Sequence, residues 1–167
     1  MSSSQNPVFR QAFIDGVTHT LQTMGGAVVK YERPMVRVLM PTNGEACIAG
    51  TIEVNEKNST CHVSVCFPES TFRCLMSKIL SEELDGPTSA YYDGASEMIN
   101  IIFGHAKRTL NSAGHSIELA LPRIIIGQSY RIPNIDDATT TIIPFNGPLG
   151  NFHLTISKSY AKETDHV

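Results

Sequence analysis

Residues Ser89–Ala113, SAYYDGASEMINIIFGHAKRTLNSA, decide how this chain is read. At about 100° per residue, Asp93, Glu97, Asn100, Gly104, Lys107, Arg108 and Asn111 fall in one arc, with Ala95, Ile99, Ile102, Phe103, Ala106 and Leu110 opposite. The spacing predicts an amphipathic helix that buries one face and presents the other. Thr88 or Ser89 offers an N-cap and Gly114 a stop. Ile101 interrupts the presented face as a large apolar residue between Glu97 and Arg108, which suits a surface meant for another protein.

Upstream, Asn6-Pro7 reads as N-cap and first helical residue. Phe9, Phe13, Val17, Leu21 and Met24 then recur at helical spacing up to Gly25-Gly26, predicting a helix over Val8–Met24. From Ala27 to Phe67 the period shifts toward two, predicting three or four mostly antiparallel strands joined by turns at Asn43-Gly44 and Asn55–Asn58. Pro68 opens a second helix with Phe72, Leu75, Met76, Ile79 and Leu80 on its buried side, ended by acidic residues and Asp85-Gly86-Pro87. Downstream, Ile117, Leu119 and Leu121 alternate and Ile124-Ile125-Ile126 is a continuous apolar run. Thr139–Phe145 and Asn151–Ser157 flank the turn Gly147-Pro148-Leu149-Gly150, and all these segments read as a second set of strands closing with a hairpin. The order helix, strands, two helices, strands hints at two related halves within one domain over residues 1–167. The fold class expected is α+β, a mostly antiparallel sheet with long helices packed on it.

The chain has 167 residues, enough for one domain that buries about 70% of its unfolded surface. Thirteen basic against sixteen acidic residues give a net charge of −3 with no block of like charge, which argues against nucleic acid or anionic lipid as the main partner. Met1–Asn6 is short and polar, neither a signal peptide nor a membrane span, so a soluble cytoplasmic protein is expected. Cys47, Cys61, Cys66 and Cys74 lack C-x-x-C spacing and read as reduced, buried thiols. The six histidines form no H-x-x-x-H pair, so no bound metal is expected. Glu97 and Asn100 on spacing alone fit an ordinary solvated helix face, and no nucleophile motif or phosphate cradle accompanies them.

As an ordered string, Asp93-x-x-x-Glu97-x-x-Asn100 with Pro122 beyond resembles the active helix of the CheC and CheX chemotaxis phosphatases. Ile48–Ile52, Phe67-Pro68-Glu69, Glu97–Lys107, Ile143-Pro144-Phe145 and Gly150-Asn151-Phe152 resemble CheX in the same order, so the likeness covers nearly the whole chain. CheC-like members can carry two such helices. Here the first helix has no Glu and only Gln11 and Asp15 as polar candidates, which favours CheX.

The resemblance implies dephosphorylation of an aspartyl phosphate on a CheY-type response regulator, with Mg²⁺ held by the regulator and no cofactor on this chain. It implies Glu97 as the docking anchor and Asn100 as the group that positions water. Asp93, Ile101, Gly104 and Lys107 are the partner-binding candidates. A homodimer joined through the sheets is implied as well; Ile124–Ile126 suits that, or an internal strand. The competing class is a non-catalytic regulator-binding or flagellar-switch-like adaptor using the same stripe.

Overall fold

The computed structural model describes residues 6–36, 46–55, 59–118, 121–127 and 140–160, with the side chains of 36, 88, 89, 159 and 160 excepted. Asn6 caps the first helix by accepting a hydrogen bond from the Val8 amide at 2.9 Å, and Pro7 is its first residue. Gly26, in the left-handed region at φ 59°, stops it. In chain order the elements are α1 (Pro7–Gly25), β1 (Lys30–Tyr31), β2 (Met35–Val36), β3 (Cys47–Asn55), β4 (Ser59–Pro68) and α2 (Glu69–Leu80). A 3₁₀ turn (Thr88–Tyr91), α3 (Tyr92–Ser112), β5 (Arg123–Gly127), β6 (Thr141–Gly147) and β7 (Gly150–Tyr160) follow.

The strands form one antiparallel sheet in the order β1-β6-β7-β4-β3-β5, with β2 also paired to β6. Hairpins β3–β4 and β6–β7 meet where β4 pairs with β7. The strand entering each hairpin pairs instead with the other hairpin: β2 with β6 and β5 with β3. That exchange gives the two related halves a physical form, since neither half can complete its edge alone.

One face of the sheet carries Ile48, Ile52, Val63, Val65, Leu154 and Ile156, all buried in the core. Alternation fixes this face, because successive strand residues point to opposite sides. Helices α1 and α3 pack on it and on each other. At their crossing, a Cβ added to Gly16 would lie 2.7 Å from the Ile102 carbonyl oxygen, so glycine permits the approach. Phe13 and Phe103 meet edge to face at 5.9 Å. Met76 of α2 presses on Gly94 near the start of α3.

Several expectations are corrected. Helix α3 starts at Tyr92, with no side-chain cap, because the 3₁₀ turn over Thr88–Tyr91 comes first. Helix α2 ends at Leu80, where Ser81 adopts φ 57°, before the acidic stretch. Leu80 is 44% exposed and Ile79 only partly buried, so the buried side of α2 is Phe72, Leu75 and Met76. Ile117 and Leu121 are not in a strand, and Leu121 is 89% exposed. Among the described residues, strand β5 lies at the end of the strand order, not inside the sheet. The turns at Asn43-Gly44 and at 56–58, together with Leu119 and Thr139, lie outside the described residues. Among the described residues, no helix is long and apolar enough to cross a membrane.

Candidate functional site

Helix α3 buries Ala95, Met98, Ile99, Ile102, Phe103, Ala106 and Leu110, which fixes its rotation on the sheet. Its opposite face therefore points outward. Asp93, Glu97, Asn100 and Arg108 are exposed there, while Ile101, Gly104 and Lys107 are half-buried along the same stripe. Gly114, at φ 89°, stops the helix as its pattern predicts, and the His115 amide returns to the Leu110 carbonyl at 3.0 Å.

The side chains of this stripe are uncommitted. Among the described residues none of Asp93, Glu97, Asn100, Lys107 or Arg108 forms a side-chain hydrogen bond or ion pair. Spacing is the reason. Asp93 and Glu97 are like charges at i and i+4, an arrangement that costs a helix about 0.2–0.5 kcal/mol. Glu97 and Lys107 stand ten residues apart, about 15 Å along the axis. Glu97 and Asn100 are neighbours, since positions i and i+3 hold their Cβ atoms about 5–6 Å apart. An acid and an amide thus sit side by side with their polar atoms free for solvent or a partner.

The neighbouring surface of α1 is different. Gln11 donates to Asp15 at 2.8 Å, so its two polar candidates bind each other. The His19 and His105 rings lie 4.8 Å apart across the helix seam, a pairing that reading one helix at a time does not reveal. His105 Nδ1 is buried without a partner. Burial pushes the His105 imidazole below its ordinary value; His19 and Arg108 push the same way, and Asp15 opposes them. Pro122 stands directly before β5, half-buried, as a strand punctuator would.

All four cysteines are free; Cys61 and Cys66 are buried, as expected of structural thiols, but Cys47 is half-buried and Cys74 is exposed on α2. Burial, and then Cys47, raise the Cys66 thiol far above its ordinary value. Among the described residues no three His, Cys, Asp or Glu side chains gather into a metal-binding group. The chemistry this surface offers is hydrogen bonding and charge directed at something outside the chain.

The family model described as chemotaxis phosphatase CheX matches residues 48–146, more than half of the chain. The chain belongs to the CheX family. No curated protein matches. Among solved structures, a CheC-like superfamily protein from Shewanella sp. PV-4 superposes with a TM-score of 0.79 at 23% identity, covering 93% of this chain and 99% of that one. The chemotaxis protein CheX from Vibrio vulnificus gives 0.77 at 24% identity, over 90% and 99%. The CheX of a CheX–CheY–BeF₃–Mg²⁺ complex from Borrelia burgdorferi gives 0.69 at 19% identity, over 90% and 97%. These likenesses establish a CheC/CheX-like α+β fold.

Proposed function

We propose that this protein is a phosphatase that removes the aspartyl phosphate of a CheY-type response regulator. The observation that carries the reading is the free Glu97–Asn100 pair on the outward face of α3, in a chain of the chemotaxis phosphatase family. The Borrelia complex, in which a CheX is bound to CheY with BeF₃ and Mg²⁺, supports the choice of partner. The regulator supplies its own Mg²⁺, and with it charge neutralisation at the phosphoryl oxygens. What it lacks is an oriented water.

The Asn100 carboxamide carries an acceptor oxygen and two donor hydrogens, so it can hold a water in line with phosphorus. The water oxygen bonds to phosphorus as the bond to the aspartyl oxygen breaks, releasing phosphate and the regulator's free carboxylate. An amide is too weak a base to take the water's proton, which passes to phosphate or solvent; the contribution of Asn100 is placement, as glutamine contributes in GTPases. Glu97, one turn back, makes a charged contact with a basic side chain beside the phosphorylation site. Asp93, Ile101, Gly104 and Lys107 form the surrounding contact surface. The protein works in the cytoplasm, where such regulators are found, and as a homodimer joined through sheet edges. Exposed Ile125 and Ile126 on edge strand β5 support the dimer.

The test is direct. Mixed with phosphorylated regulator and Mg²⁺, the protein should speed phosphate release above the regulator's own rate. Binding with no acceleration would replace this reading with a non-catalytic adaptor that uses the same stripe.

A further inference from the structure

Gly104 leaves a notch in the stripe, and Arg108 closes one side of it. A Cβ built on Gly104 would come within 4 Å of one atom outside its immediate neighbourhood, Nη1 of Arg108 at 3.7 Å. No packed element presses on this position, so packing does not call for glycine here. The guanidinium has folded back from its own Cα toward the preceding turn, the direction in which helix side chains lean. It is exposed and forms no ion pair among the described residues. Ile101, half-buried, bounds the notch on the same flank, and Asn100 lies one turn toward the N-terminus.

We infer that the Gly104 notch is a docking subsite that takes an acidic side chain of the partner, held by the Arg108 guanidinium. A guanidinium fork without a counter-ion matches a carboxylate, with two parallel donors for two oxygens. The absence of a side chain at Gly104 lets that carboxylate approach the helix closely. Charge polarity adds direction. Asp93 and Glu97 stand at the N-terminal end of the stripe, Lys107 and Arg108 at the C-terminal end. A partner with a base against Glu97 and an acid against Arg108 fits one way round, and the reverse orientation sets like charges together. Arg108 thus sets how tightly and which way round the partner docks, while alignment of Asn100 with the phosphoryl group in the bound complex rests on Glu97. The identity of the partner rests on the proposed function; the notch and its charge do not.

The experiment measures two quantities on the full chain. One is steady-state dephosphorylation of a phosphorylated CheY-type receiver. The other is the Kd for that receiver loaded with beryllofluoride and Mg²⁺. Arg108→Ala should raise both KM and Kd about 5- to 10-fold, keep kcat within about twofold, and flatten the dependence of Kd on salt. Arg108→Lys should recover part of the loss, and Arg108→Glu should exceed it. Gly104→Ala should raise Kd while the thermal midpoint holds or rises, since alanine is the better helix former. Wild-type Kd and KM in both Arg108→Ala and Arg108→Glu would overturn the subsite, as would a loss of affinity indifferent to salt. A wild-type chain that binds the loaded receiver without speeding phosphate release overturns the phosphatase reading alone. One that does not bind overturns both.

Discussion

A Cβ placed on Gly50 of β3 would lie 2.5 Å from Cγ1 of Ile99 on α3, closer than real side-chain atoms approach. Ile99 therefore seats in the gap that glycine leaves in the sheet, and this contact sets both the height and the rotation of α3. Glu97 and Asn100 sit two residues before and one after Ile99, about 200° and 100° around the helix. Their outward aim follows from how Ile99 is held. Gly50→Ala should cost about 1–3 kcal/mol of stability, measured by urea denaturation, because the surrounding core is filled and must shift. It should also lower kcat by about tenfold, since small displacements of a positioning group are expensive. Combining it with Ile99→Val should recover part of the stability. A Gly50→Ala chain with unchanged midpoint and activity would show that α3 is oriented by something else.

The acid and the amide should separate kinetically. Asn100→Ala removes the group that places water but leaves the charged contact. It should abolish most of the acceleration, about 100-fold in kcat, with Kd for beryllofluoride-loaded receiver changed by less than about twofold. Glu97→Ala removes an interaction used for docking and, through docking, for alignment. It should raise Kd about tenfold and lower kcat as well. Stopped-flow phosphate release together with equilibrium binding resolves the two. Full activity in Asn100→Ala would remove water positioning from the mechanism.

Legibility in the sequence tracked how local each determinant is. Helix α1 was readable because its signals lie on the helix itself: the Asn6 cap, Pro7, the apolar recurrence and Gly26. The exposed stripe of α3 was readable for the same reason, since a single period separates its two faces. The start of α3 was not. Thr88 and Ser89 look like caps, but they open a 3₁₀ turn closed by the Ala90 amide on the Pro87 carbonyl at 3.0 Å. Tyr91 then anchors the segment by donating its hydroxyl to the Asp85 carbonyl at 2.7 Å. The stop of α2 was hidden because a serine, not a glycine, takes the left-handed position, helped by the Ser77 hydroxyl donating to the Glu82 carbonyl at 2.6 Å. The His19–His105 contact and the fold-back of Arg108 depend on a neighbouring helix and on a rotamer, and periodicity encodes neither.

Stability should depend on pH through two imidazoles. His105 is pushed below its ordinary value by burial first and by His19 and Arg108 after it, while His153 on β7 is lowered by burial. Between those lowered values and the ordinary value of about 6.5, the unfolded chain binds more protons than the folded one. The stabilisation is therefore complete above pH about 6.5 and is lost as pH falls below it toward the folded-state values. Thermal midpoints should drop from pH 8 to pH 5.5, a range that avoids most carboxylate titration. In His105→Asn the drop should be shallower. A midpoint flat over this range, or an equal slope in the variant, would show that the seam does not carry the effect.

The assembly prediction follows from the edge of the sheet. Among the described residues β5 pairs with β3 alone, so its other side presents backbone donors and acceptors without strand partners. Ile125 and Ile126, on opposite faces of that strand, are 39% and 37% exposed. An exposed apolar edge is a template for association unless charge, proline or a cover protects it, and Arg123, at the strand's start, is drawn toward Glu53 at 3.6 Å. A second copy meeting β5 would cover both isoleucines and continue the sheet. Light scattering at micromolar concentration should give a dimer mass for the wild type. Ile125→Lys with Ile126→Lys should give a monomer, because burying two ammonium groups opposes the contact. The α3 stripe lies on a different element, so that monomer should still bind loaded receiver. A monomeric wild type would refute the dimer, and a double variant that stays dimeric would move the interface away from β5.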